Sequence, residues 1–184
     1  MSDTIGFFSL QSTADKKGLL GALLVTDGLG KPEEFRVTFP VKPTLLQRQL
    51  YGHSLFPHVS IELCGKPLFS ALKTKPAVLL VDKTWNLEIA KALPCPVAHV
   101  ERLGDTLKVT SPSDSGGSPE AKITSQTGRF QPLAVTFPEE YSSEQQAATQ
   151  ELLQRFFGSI DLLEPFARIE VAVKALGEQD QRFV

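Results

Sequence analysis

Hydrophobic positions fall in short blocks, separated by clusters of glycine, proline and polar residues. Residues 5–11 (IGFFSLQ) are rich in aromatics and bounded by polar residues, which predicts a strand. Residues 12–17 (STADKK) read as a turn. Residues 19–26 are apolar almost without interruption, the pattern of a strand covered on both faces. Asp27, Gly28, Gly30 and Pro32 supply dense turn chemistry. Phe35, Val37 and Phe39 then alternate with Arg36 and Thr38, which predicts a strand over 35–41. Three successive antiparallel strands account for this pattern most simply.

Pro40 and Pro43 end the third strand, and Thr44 is a good N-cap for a helix over 45–51. Gly52 and Pro57 interrupt the helical pattern, so two or three short helices are expected up to Leu72, the last opened by Pro67. Residues 77–81 (AVLLV) predict a central strand with Asp82 at its end. Thr84 is expected to cap a helix over 85–93, and residues 97–100 form the next strand.

Short strands are expected over 107–110, 121–124 and 133–137. Between the first two lies the Ser/Gly/Pro-rich segment 111–119, read as a flexible loop. Two helices close the chain. Ser143 is expected to cap the first, with Ala147, Ala148, Leu152 and Phe156 on one face and Gly158 as its stop. The second opens near Pro165, carries Phe166, Ile169, Val173 and Leu176 at helical spacing, and is expected to end at Gly177.

The composition is ordinary for a globular chain, with 41% hydrophobic and 22% charged residues among 184. No apolar run reaches the roughly 18 residues of a membrane span, and no signal peptide is recognisable, so a cytoplasmic protein without membrane contact is expected. Two cysteines cannot form a disulfide framework. Charge is uneven. Residues 1–110 hold 13 Lys and Arg against 10 Asp and Glu, and residues 111–184 hold 6 against 11, giving +3 and −5. The acidic C-terminal portion is a candidate surface for a basic protein partner.

The order strand, strand, strand, helix, strand, helix, strand over residues 5–100 is similar to that of the ribonuclease H-like fold. Within it, residues 62–72 (ELCGKPLFSAL) and 75–82 (KPAVLLVD) resemble the endonuclease V family, which has a catalytic Glu, a Pro, an "LLxAL"-like helix and then a "PDLLLVDG"-like strand. The resemblance implies an α/β fold with a mixed five-stranded sheet and a C-terminal β-α-α extension. The expected organisation is a body over 1–110, the loop 111–119, and an extension over 120–184 packed on the body. It also implies two-metal phosphodiester hydrolysis, with clustered carboxylates holding Mg²⁺. Glu62 would match the helix carboxylate and Asp82 the fourth-strand Asp.

Two departures oppose that activity. The first strand, where the family places its leading Asp, contains no acid, and Lys83 replaces the glycine after the fourth-strand Asp. The expectation is therefore a non-catalytic binding or accessory subunit on a degenerate nuclease-like scaffold, with no cofactor and with nucleic acid as a secondary partner class. The alternative is a divalent-metal-dependent nuclease using Glu62 and Asp82, which needs a third acid; Asp15, Asp27 and Asp161 are the candidates.

Other chemistry is weaker. His58 and Glu62 are four apart and could share a helix face near His53, but zinc needs at least three converging ligands. Cys95 and His99, four apart on a strand, would lie ~13 Å from each other, beyond hydrogen-bond reach. There is no phosphate-binding GxxxxGK[ST] loop, no Gly-x-Ser-x-Gly elbow and no paired CxxC.

Overall fold

A computed structural model describes residues 3–103 and 121–184. Its centre is one mixed sheet with strand order β3-β2-β1-β4-β5-β7-β6. The strands are β1 (Ile5–Ser12), β2 (Leu19–Thr26), β3 (Pro32–Val37), β4 (Val78–Val81), β5 (Val97–Arg102), β6 (Ala121–Ile123) and β7 (Leu133–Thr136). The first three form the expected antiparallel meander, and β4 and β5 run parallel to β1. The sheet has seven strands among the described residues, not five. The segment assigned to an extension supplies β7, which pairs antiparallel with β5, and β6, which pairs with β7. The third strand also begins and ends earlier than the alternation suggests. The strand expected over 107–110 and the loop over 111–119 lie outside the described residues.

Helical segments cover both faces, which is why β2 and β4 are buried at every position. One face carries a nearly continuous helical run from Leu45 to Ala71. It comprises α1 (Leu45–Tyr51), a 3₁₀ turn, α2 (Leu55–His58), a π-helical stretch (Val59–Gly65) and α3 (Lys66–Ala71). A 3₁₀ segment (Thr84–Ala92) follows β4, where a capped helix was expected; Lys83 precedes it and no side chain caps it. The other face carries α4 (Ser143–Phe157) and α5 (Glu164–Gln179). Ser142, not Ser143, caps α4, in a reciprocal box with Gln145. Its buried face is Thr149, Leu153, Phe156 and Phe157, and Ala147 and Ala148 stay exposed. Alanine is small enough to sit on either side of such a helix, so the stripe was ambiguous by about one residue's rotation, roughly 100°. Helix α5 continues through Gly177, and its Phe166, Ile169 and Val173 pack on the sheet as spaced.

Alternation along β1 sends neighbouring aromatics to opposite cores. Phe7 meets the α4/α5 face, where Phe166 approaches it edge-on at 5.5 Å. Phe8 meets the face bearing the long helical run. That run lies very close to the sheet because glycines stand at its contacts. A Cβ on Gly21 of β2 would lie 2.5 Å from Cβ of Cys64, and one on Gly65 would lie 2.5 Å from Cδ1 of Ile89. This close approach fixes the height of the segment carrying Glu62.

A carboxylate and serine at the strand ends

Parallel pairing places the C-terminal ends of β1, β4 and β5 side by side. Phe8 is in register with Val81, so the next residues along, Ser9 and Asp82, are neighbours. The Ser9 hydroxyl donates to Oδ2 of Asp82 at 2.6 Å, and Nε2 of Gln11 donates to the Ser9 hydroxyl at 2.6 Å. Ser9 is fully buried. The second carboxylate oxygen of Asp82, Oδ1, is buried with no hydrogen-bond partner. Burial raises the Asp82 pKa above the usual carboxylate range, against the opposing pull of the Ser9 bond and of Lys83.

His99 enters from β5, where it is in register with Val81 of β4 and Thr136 of β7. It is 5% exposed. Burial depresses its pKa to about 4, a hydrogen bond with the Asp82 backbone opposes that shift, and Lys83 adds to it. Its Nδ1 is buried without a partner. Close in sequence after Asp82, the buried Asn86 accepts from the Ser60 hydroxyl at 2.6 Å through Oδ1, while its amide nitrogen is unpartnered. Asp82 after β4, His99 within β5 and Asn86 in the 3₁₀ segment each keep one buried polar atom unmatched. Such atoms are uncommon and mark either enclosed water or a site shaped for something else.

The remaining sequence candidates are placed elsewhere. Glu62 lies on the π-helical stretch with its side chain in solvent, where it accepts from Nζ of Lys66 at 2.6 Å. His58 stacks at 5.0 Å on Tyr51, so the His58–Glu62 pair is divided between two different partners. Asp15 accepts from Thr13 and the Lys17 amide in the turn after β1. Asp27 accepts from the amides of Leu29 and Lys31 in the turn after β2, at the opposite end of the sheet from Asp82. Asp161 accepts from the Leu163 amide. Each of these three carboxylates is occupied by its own turn. The Cys95 thiol is pushed up to about 11 by burial, the reverse of an activated nucleophile.

Ser9 and His99 are the residues that sequence reasoning missed here. Ser9 gave no signal beyond the absence of an acid. His99 was weighed only with Cys95 along its own strand, whereas across the ladder it is in register with Val81 and it bonds the Asp82 backbone. Exposed acids do line the outer sides of α4 and α5, among them Glu144, Glu151, Glu170 and Glu178. No helix among the described residues is long and apolar enough to cross a membrane.

No protein-family model matches the chain, and no curated protein matches it in sequence. Solved structures do. Endonuclease V from Bacillus subtilis superposes with a TM-score of 0.62 at 11% identity, covering 97% of this chain and 84% of that one. Human ENDOV gives 0.58 at 17% identity, over 93% and 82%. An endonuclease V from Ciona intestinalis, in complex with a 23mer DNA containing an inosine followed by a ribo-adenosine, gives 0.56 at 14% identity, over 97% and 87%. The chain shares the ribonuclease H-like fold of these endonuclease V structures across most of its length.

Proposed function

We propose that the chain is a non-catalytic, cytoplasmic binding or accessory protein built on an endonuclease V-like scaffold. The observation that carries this reading is the Ser9–Asp82 hydrogen bond at 2.6 Å. A serine hydroxyl occupies the place beside Asp82 where a second carboxylate would be required, and it spends its proton on the one acid present. Hard divalent cations need several oxygen ligands at one point. The residues present do not fit a pair of such ions. Asp82 is pushed toward its neutral form by burial, Lys83 adjoins it, and Glu62 is paired with Lys66 in solvent. Among the described residues no group of three or more His, Cys, Asp or Glu side chains converges as a metal site. The acidic outer sides of α4 and α5 offer a basic protein one surface of contact.

The test is a calorimetric titration with Mn²⁺ together with incubation of the protein with inosine-containing DNA. The expected result is no stoichiometric sub-millimolar site and no cleavage. Metal-dependent cleavage abolished by both Glu62→Gln and Asp82→Asn would overturn the reading and establish the nuclease alternative.

A further inference from the structure

The sheet has an open edge at β3. In the strand order β3 and β6 are outermost. Pro32 and a register shift at Val25/Thr26 blunt the first residues of β3, and beyond them the pairing is regular. Leu23 pairs with Arg36 and Ala22 with Val37, and the Thr38 amide donates to the Gly21 carbonyl at 2.9 Å. Backbone direction alternates along a strand. The N–H and C=O groups of Glu34 and Arg36 therefore turn toward β2, as the Thr38 amide does, and those of Phe35 and Val37 turn outward. Among the described residues, nothing bonds to these outward groups.

Side chains alternate as well. Glu34, Arg36 and Thr38 lie on the face of the long helical run. There Glu34 accepts from the Lys73 and Thr74 amides at 2.9 Å, and Oγ1 of Thr38 lies 3.6 Å from Sγ of Cys64. Phe35, Val37 and Phe39 share the α5 face. Val37 packs against the core there, and Phe183 stacks on Phe39 at 5.3 Å. Phe35 and Phe39 nevertheless stay 40% and 61% exposed.

The apolar positions of residues 35–39 (FRVTF) read the same in both directions. An antiparallel copy of this segment, related by a two-fold axis through Val37, meets it in a matched register. Val37 faces Val37 of the second copy, and the two exchange both outward hydrogen bonds. Each Phe35 faces Phe39 of the other copy, so an aromatic cross-strand pair forms twice. Arg36 faces Thr38 and raises no like-charge barrier, because each Arg36 is bonded to its own Glu34 at 2.5 Å. An unrelated extended segment would satisfy the backbone, but this pattern supplies its own matching side chains.

We infer that β3 is a self-pairing edge, through which two copies of the chain join antiparallel over residues 35–39 with Val37 on the two-fold axis. The sheet then runs unbroken through both copies, and the contact is isologous. It rests on few groups, so the dimer is a reversible one that forms as concentration rises. This goes beyond the proposed function and does not depend on Asp82, so each can fail without the other.

The test is sedimentation equilibrium of the full chain over a concentration series, with melting temperatures read at the lowest concentration to confirm folding. Wild type should show a monomer–dimer equilibrium. The double variant Phe35→Lys, Phe39→Lys sets like charges at both facing positions and should raise the dissociation constant about tenfold or more. The double variant Phe35→Glu, Phe39→Lys sets opposite charges there and should recover most of that loss, because residues 35 and 39 meet only across the axis. Phe35→Lys alone should act in the same direction as the like-charge pair, and it replaces that pair if the double variant unfolds. The inference is overturned if wild type stays monomeric, including the case in which it binds a peptide of alternating Phe and Val instead. It is also overturned if a dimer forms that the lysine substitutions leave intact, or if the like-charge and opposite-charge variants weaken it equally.

Discussion

Acidification should destabilise the protein through His99 before carboxylates of ordinary pKa are protonated. The imidazole sits in the middle of three paired strands, 5% exposed, with Nδ1 unpartnered. Burial lowers its pKa from 6.5 to about 4. Between those two values the unfolded chain binds a proton that the folded chain refuses, so folding stability falls as pH falls. At about 1.4 kcal/mol per pKa unit the loss amounts to roughly 2–3 kcal/mol by pH 4.5, about half of it by pH 5.5. Asp82 acts in the opposite sense. Its raised pKa favours the folded state as pH drops, in a window that begins above the ordinary carboxylate value of 3.8. His99→Gln keeps a polar side chain and removes the titration, leaving Asp82 in place. Urea unfolding of wild type and variant at pH 7.5, 6.5, 5.5 and 4.5 isolates the His99 contribution as the difference between the two curves. That difference should grow by roughly 2–3 kcal/mol in the variant's favour from pH 7.5 to 4.5. Parallel curves would refute the reasoning, because they would mean that His99 accepts a proton in the folded state as readily as in the unfolded one.

Three further outcomes follow from the packing and the site. Ile169→Asp should lower the melting temperature of the monomer by about 10 °C or more, because a fully buried side chain worth ~1.5–3 kcal/mol is lost and a carboxylate takes its place; differential scanning calorimetry reads this. Gly21→Ala should cost about 1–3 kcal/mol in urea unfolding, since its methyl group would meet Cβ of Cys64 at 2.5 Å and push the π-helical stretch off the sheet. Asp82→Asn should raise the melting temperature at pH 8, where the buried carboxylate is costly and Ser9 can still donate to the amide oxygen. A fall instead would show that the carboxylate is a structural anchor.

Local pattern determined much of this protein. The β1–β3 meander, the strand over AVLLV, the helix opening at Thr44, and the stripe of Phe166, Ile169 and Val173 were each legible, because alternation, turn residues and caps act over a few residues. The resemblance of residues 62–82 to endonuclease V pointed to a fold that superposition on solved structures bears out. What escaped the sequence was everything decided by pairing between distant segments. The sheet gains β7 and β6 because β5 leaves an open edge that only they fill, and a local pattern cannot say which edge a strand will join. Which face of α4 is buried was settled by the sheet beneath it. The site was legible only as a missing acid. That Ser9 bonds Asp82, and that His99 lies across the ladder from Val81, are consequences of parallel register between β1, β4 and β5. Register is a tertiary quantity, set by how the strands' side chains fit between two layers of helices, and no spacing along the chain encodes it.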